Sequence, residues 1–327
     1  MAVSLADRYR DRLPITDATP TISLGEGSTP LLAAPRLSER LGFEVLLKWE
    51  GANPTGSFKD RGMTVAVAKA VEEGAQAVVC ASTGNTAASA AAYAARAGLS
   101  AVILQPLGAV ALGKLAQARA AGARLLAVRG SFDDALAAAL RLADLGMHVL
   151  VNSLNPHRLQ GQKTAAFELV EELGGAPDVL AIPYGGGGNV CAYALGFEEV
   201  GTGVPRLVAG EAAERSATVA SAIRITAPAH RADAERAVEA SGGEVVSLPD
   251  EGILEAWREL ATLEGVFCEP SSAAALAAVT RAGLEPGTRV VCVVTGHGLK
   301  DPETATAQTP PPVEIDPDPG AIAAALR

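Results

Sequence analysis

Aromatic side chains are scarce, at 4% of 327 residues. Any core must therefore be built mainly from alanine, glycine and small aliphatic residues, a composition that suits closely packed βα units. Basic charge is short as well: 27 Lys and Arg against 37 Asp and Glu leave a formal net charge of −10. That balance argues against nucleic acid or an anionic membrane as a partner. An anionic substrate would need a local basic pocket instead. Cysteine is limited to Cys80, Cys191, Cys268 and Cys292, far apart and in apolar runs. No CxxC and no Cys/His metal spacing occurs, so reduced core thiols in a cytoplasmic protein are expected, and no metal. His148, His157, His230 and His297 add no metal spacing, and neither GxSxG nor HExxH is present. His297 has a pocket reading by position and an equally good reading as a core or solvated histidine. The N-terminal residues 1–8 lack an apolar signal region, and no run is long enough to span a bilayer.

What is present is enough chain for a large core and two domains, and a regular alternation. Residues 77–81, 101–104, 124–128 and 148–151 read as strands; 84–97, 112–121 and 132–145 read as helices between them. Strands follow at 179–182, 205–210, 244–248 and 289–294, with a helix over 250–264 capped by Asp250. Alternation of this kind predicts parallel α/β sheets with right-handed crossovers. Ligand sites in such sheets lie beyond the carboxyl ends of strands, and several polar loops fall there.

The stretch Asn53-Pro54-Thr55-Gly56-Ser57-Phe58-Lys59-Asp60-Arg61-Gly62 follows a strand, 45–50, and reads as a tight turn opening a helix. Ser57 is the predicted N-cap. Lys59 then lies near the positive end of the helix dipole, where a neutral amine or imine is favoured over ammonium. Such a lysine suits Schiff-base chemistry; the plain alternative is a solvated lysine near a helix start. Ser82-Thr83-Gly84-Asn85-Thr86 offers hydroxyls, an amide and free N–H groups for a carboxylate, beyond what capping a helix needs. Lys114 stands at a helix start, against the dipole, so it meets solvent or an anion. In the run 152–164, Asn152 and Ser153 offer donors and Arg158 can fork onto an anion. A capped helix with a solvated arginine reads that run equally well. Gly185-Gly186-Gly187-Gly188-Asn189 joins a strand to a helix as a phosphate cup whose N–H groups converge without Cβ obstruction. A flexible turn is the alternative. The run is not a dinucleotide fingerprint, because Val190 or Cys191 replaces the third glycine, and no GK[ST] follows.

The lysine segment resembles the cofactor-lysine segment of the pyridoxal-phosphate (PLP) enzymes of the tryptophan-synthase-β superfamily, fold-type II, and is most similar to the threonine synthase family within it. The resemblance runs from Leu24-Gly25-Glu26-Gly27-Ser28-Thr29-Pro30-Leu31 to Thr295-Gly296-His297-Gly298-Leu299-Lys300-Asp301-Pro302. It includes Glu269-Pro270-Ser271-Ser272-Ala273, similar to the family's EPASAA run.

The resemblance implies two parallel-sheet α/β domains with PLP in the interdomain cleft: a smaller one over 53–153, and a larger one from 1–52 plus 154–327. It implies that Lys59 binds PLP and acts as the catalytic base, with Phe58 beside it. Asn85 meets the phenolic oxygen, Gly185 to Asn189 the phosphate, and Thr295 the pyridine nitrogen. A neutral partner for that nitrogen limits full carbanion delocalisation and suppresses transamination. Ser82, Thr83, Gly84 and Thr86 would hold the substrate α-carboxylate. Lys114, Asn152, Ser153 and Arg158 would hold the phosphate of O-phosphohomoserine, converted with water to threonine and phosphate. The implied partner is thus a small amino-acid phosphate, and the implied assembly a homodimer. The chain departs from the family at Ala109, where a second lysine is usual, at Gly186, where asparagine is usual, and in a shortened connection over 211–217. A serine/threonine dehydratase or other PLP lyase, or a non-catalytic binding homologue, are the alternatives.

Overall fold

The structure, a computed structural model, describes residues 3–108 and 115–326. In chain order the strands are β1 (Leu31–Ala33), β2 (Glu44–Trp49), β3 (Ala77–Ala81), β4 (Ser100–Pro106), β5 (Arg124–Val128), β6 (His148–Leu150), β7 (Val179–Pro183), β8 (Arg206–Ala212), β9 (Glu244–Leu248) and β10 (Arg289–Val294). They form a six-stranded sheet, β1-β2-β10-β7-β8-β9, and a four-stranded sheet, β5-β4-β3-β6. Among the described strands, only β1 runs antiparallel to its neighbour and the other strand pairings are parallel, as the alternation predicts.

Parallel strands covered on both faces read as continuous apolar runs, and the packing shows why. In β10, Val290, Cys292 and Val294 enter one core while Val291 and Val293 enter another. In β3, Val78 and Cys80 face one core and Val79 and Ala81 the other. Strand periodicity of two therefore divides each apolar run between two helical layers. The helix Pro270–Val279 is buried on every side. Its run of alanines lets it lie so close to β8 that a Cβ on Gly210 would collide with the Ala274 carbonyl.

β10 lies between β2 and β7, so the chain's last strand fills the middle of the larger sheet. In register, Val294 faces Trp49 of β2. The carboxyl ends of β2, β10 and β7 thus lie side by side, and the segments after them are the lysine turn, Thr295 and the glycine run. A sheet whose strand order reverses here leaves a crevice at those ends. The helix Lys59–Glu72 then carries the chain to the smaller sheet.

Two sequence expectations are corrected locally. Ser57 does not cap the lysine helix; the helix starts at Lys59 after Phe58 with no side-chain cap. Ser57 instead bridges through its backbone to Gly296, and its buried hydroxyl has no hydrogen-bond partner. Asp250 is the first residue of the helix Asp250–Glu264, after Pro249, rather than its cap. Its carboxylate accepts from the Val219 N–H at 2.9 Å and from the Thr218 hydroxyl. Of the helix predicted over 112–121, the described part is Ala116–Ala120. The polar helix Arg231–Ala240 has no counterpart in the sequence reading.

Candidate active site

The lysine turn is held by its own side chains. The Asp60 carboxylate accepts from the Thr55 N–H at 2.7 Å, the Thr55 hydroxyl at 2.6 Å and the Ser89 hydroxyl at 2.6 Å. Asn53 donates to the Glu50 carbonyl at 2.8 Å and accepts from the Gly27 N–H at 3.0 Å. The turn docks on the end of β10, where the Phe58 N–H donates to the Thr295 carbonyl at 3.0 Å. Gly62 follows because the helix Pro156–Gln162 crosses there: a Cβ on Gly62 would lie 2.6 Å from the Arg158 carbonyl, and one on Gly161 would overlap the Arg61 carbonyl.

Lys59 retains some open surface, as a group facing a ligand must, yet protein surrounds its amine. Burial pushes its ammonium down to about 7, the nearby Arg158 cation adds to the effect, and the Glu269 carboxylate opposes it. Its Nζ sits 4.0 Å from the Phe58 ring centroid. Arg158 is 2% exposed. Burial lowers its pKa to about 10, against the pull of Cys80 and Asp60. Its Nη1 donates to the Val151 carbonyl at 2.8 Å, its Nη2 reaches Gln162 Oε1 only at 3.4 Å, and its Nε is buried without a partner.

The other predicted loops gather unevenly. Asn85 is buried and directs its amide to Glu269 Oε1 at 3.0 Å and Oε2 at 3.1 Å. The Ser82 hydroxyl accepts from the N–H groups of Gly84 and Ala87, so it satisfies one first-turn N–H of the helix Asn85–Ala97, whose N-cap is Gly84. Thr83, Gly84 and Thr86 are half-buried beside it. Thr295 is buried, with its hydroxyl 2.9 Å from Ser272 Oγ. Asn152 has its amide bound to both the N–H and the carbonyl of Ala81, which ties the end of β3 to the loop after β6. Ser153 is exposed, and its carbonyl accepts from His230 Nε2 at 2.9 Å. Lys114 and Ala109 lie outside the described residues. His297 packs edge-on between Trp49 and Phe267.

The glycine run opens the helix Gly188–Val200, with Gly187 left-handed at φ 85°. A Cβ at Gly187 would come 2.8 Å from the His230 carbonyl, so only glycine fits. Among the described residues, the N–H groups of Gly185, Gly186, Gly187 and Gly188 have no backbone acceptor outside the helix ladder. Asn189 is buried; its Oδ1 accepts from Gln162 Nε2 at 3.2 Å, while its Nδ2 has no partner. Unfilled donors converging at a helix N-terminus are what an anion satisfies. PLP brings such an anion together with an aldehyde suited to an amine of depressed pKa. The residues present therefore fit that cofactor.

Glu269 and Ser272 were not singled out from sequence as site residues. Both lie where the segment after Cys268 turns into the buried helix, Glu269 against Asn85 and Ser272 against Thr295. The signals visible in sequence were a glutamate next to a proline at a helix start and the likeness of Glu269–Ala273 to the family's EPASAA run. Burial holds the Glu269 carboxyl above the usual carboxylate range, while Asn85, Lys300 and Lys59 work against the shift.

Comparison with known proteins agrees with this arrangement. Residues 22–296 match the family described as pyridoxal-phosphate dependent enzyme. Threonine synthase of Halalkalibacterium halodurans is 48% identical, over 92% of this chain and 90% of its own. Threonine synthase of Synechocystis is 51% identical, over 92% of this chain and 84% of its own. Among solved structures, maize serine racemase superposes with a TM-score of 0.76 at 22% identity, covering 89% of this chain and 94% of its own. An O-acetyl serine sulfhydrylase from Entamoeba histolytica gives 0.77 at 21% identity, covering 92% and 93%. Those two likenesses bear on the fold, which is of fold-type II. With its two parallel sheets, its half-open lysine and its donor-lined glycine run, the chain belongs to the pyridoxal-phosphate-dependent enzymes.

Proposed function

We propose that this protein is a threonine synthase, a PLP-dependent lyase that converts O-phospho-L-homoserine and water to L-threonine and phosphate. The observation that carries the reading is a lysine amine depressed to about 7 next to a buried arginine with donor capacity to spare, in a chain about half identical to threonine synthases. The first feature supplies a base, and the second a seat for a phosphorylated substrate.

Bound PLP supplies an electron sink for negative charge developing on the amino-acid carbons. Lys59 would hold it beside Phe58, with Asn85 at the phenolic oxygen, Gly185 to Asn189 around the phosphate and Thr295 at the pyridine nitrogen. Thr295 offers only a hydroxyl there, held by Ser272, so no carboxylate enforces a charged ring nitrogen. An amine with pKa near 7 is divided between base and acid at neutral pH. The freed Lys59 amine can thus take the proton from substrate Cα and then one from Cβ as phosphate leaves Cγ, and protons return to Cγ and Cα as the hydroxyl of water adds at Cβ. The N–H groups and hydroxyls of Ser82, Thr83, Gly84 and Thr86 would bind the α-carboxylate. Arg158, with Lys114 and Ser153, would bind the phosphate group, and Asn152 would brace that loop through Ala81.

We further propose that 53–153 forms the smaller domain, and 1–52 with 154–327 the larger, that two copies pair as a homodimer, and that the protein works in the cytoplasm. The two separate sheets support the first, and four cysteines free of disulfides support the last. No described helix is long and apolar enough to cross a membrane. The deciding assay supplies O-phosphohomoserine, serine and threonine separately and measures phosphate and amino-acid products. Equal release of phosphate and threonine from the first substrate is expected. Deamination of serine or threonine, without turnover of the phosphorylated substrate, would make the protein a dehydratase.

A further inference from the structure

The glycine run has no side chains to fix its own peptides, yet its carbonyls are held from behind. Arg215 Nη1 donates to the Gly185 carbonyl at 3.1 Å and to the Ile225 carbonyl at 3.0 Å. The rest of the fork, Nε at 3.1 Å and Nη2, is bound to Glu211 Oε2 at the end of β8. The His230 N–H donates to the Gly186 carbonyl at 3.1 Å. In a trans peptide the C=O and the following N–H point in opposite directions. Anchoring the carbonyls of Gly185 and Gly186 on one side therefore turns the N–H groups of Gly186 and Gly187 to the other. Neither N–H donates to a backbone carbonyl among the described residues.

We infer that Arg215 is a positioning residue for the phosphate of the cofactor: it pins the Gly185 carbonyl behind the cup, so that the next N–H is preset toward the anion. Glycine peptides left alone would sample both faces, and an anion would have to order them on binding at an entropic cost. Arginine suits this task because its rigid planar fork fixes the directions to two carbonyls and a carboxylate, whereas the three donors of an ammonium rotate on a flexible stem. Glu211 balances its charge, and the Tyr184 ring lies 4.9 Å from the guanidinium carbon. Arg215 thus acts by geometry rather than as a phosphate ligand. The shortened 211–217 connection is the segment that lays it across the back of the cup.

This inference rests on the assignment of Gly185 to Asn189 as the PLP phosphate site, and the test separates the two. The full-length protein, freed of cofactor, is titrated with PLP and with pyridoxal, which lacks the phosphate, for wild type, Arg215→Lys and Arg215→Met. Wild type is expected to favour PLP strongly; equal affinities would overturn the cup assignment itself. Loss of one preset hydrogen bond should shrink the PLP-to-pyridoxal preference by up to about tenfold in both variants, with pyridoxal affinity unchanged. If a variant weakens both ligands equally, or leaves the preference intact, Arg215 has no positioning role although the cup stands. Arg215→Lys decides the matter if Arg215→Met does not fold, because it keeps the ion pair to Glu211 and removes only the fork.

Discussion

Two cations leave the first turn of one helix, two residues apart, into opposite surroundings. Arg61 is 1% exposed, and each of its nitrogens has a partner. Nε and Nη2 bind Glu50 at 2.7 and 2.8 Å, Nη1 and Nη2 bind Glu168 at 2.7 and 2.6 Å, and Thr29 and Thr164 complete the shell. Lys48 joins through Glu168 at 3.1 Å and Glu172 at 2.8 Å. Although burial opposes its charge, these carboxylates hold the Arg61 guanidinium well above its usual range. Lys59 has an aromatic ring, a repelling arginine and no described ion-pair partner, and its proton is loosened to about 7. The same desolvation acts on both; the partners decide the outcome. Arg61 joins the lysine turn to the segments bearing Glu50 and Glu168, so the unpaired amine is presented from a fully paired base.

If that contrast is right, the largest effect comes from Lys59→Ala, which should abolish the visible absorbance of bound cofactor and cut turnover by at least about 10²–10⁴-fold, with the fold intact. The cofactor-free protein adds a second readout. Between about 7 and the ordinary 10.5 the unfolded chain binds more protons at this lysine than the folded one. Stability of the wild type should therefore rise with pH across that window, and Lys59→Ala should flatten the rise in chemical denaturation. A visible band that survives the substitution breaks the comparison.

Arg61→Met should do the reverse. It leaves Glu50 buried without its counter-ion and Glu168 with Lys48 alone, at a cost of about 3–5 kcal/mol in denaturant unfolding. The surviving folded fraction should still take up cofactor. A loss below about 1 kcal/mol would mean that the paired network does not anchor the turn.

Smaller effects sharpen the picture around the amine. Arg158→Ala should raise KM for the phosphorylated substrate by about 10–100-fold and lift the pH at which Lys59 becomes reactive, since the guanidinium is one cause of its depression. Glu269→Gln should shift that titration the other way, because its carboxylate favours the ammonium. The rate of amine acylation against pH, in cofactor-free protein, reads both. Movement of both variants in the same direction would refute the assigned surroundings.

How much of this the sequence disclosed depends on range. The bounds of β5, β9 and β10 and of the helix Asp250–Glu264 agree with the sequence reading, because each is an apolar or amphipathic run between turn formers. The lysine turn and the glycine run were visible because their chemistry is written in consecutive residues. Glu269 was not, since its meaning comes from Asn85, 184 positions away. Ser57 looked like a cap because a serine preceded a helix, whereas an edge contact with Gly296 took its place. The closeness of Gly62 to Arg158 belongs to the same class: spacing shows a glycine, and only a crossing helix shows what it makes room for.

The placement of β10 also bears on how the protein comes into being. Synthesis delivers this strand after every other strand of the sheet, yet it is the one that β2 and β7 share. Before Val294 has left the ribosome, those two strands have no common neighbour, and the turn ahead of Lys59 has no Thr295 carbonyl to dock against. The strand that closes the middle of the sheet thus also brings, last of all, the Thr295 carbonyl on which the lysine turn docks.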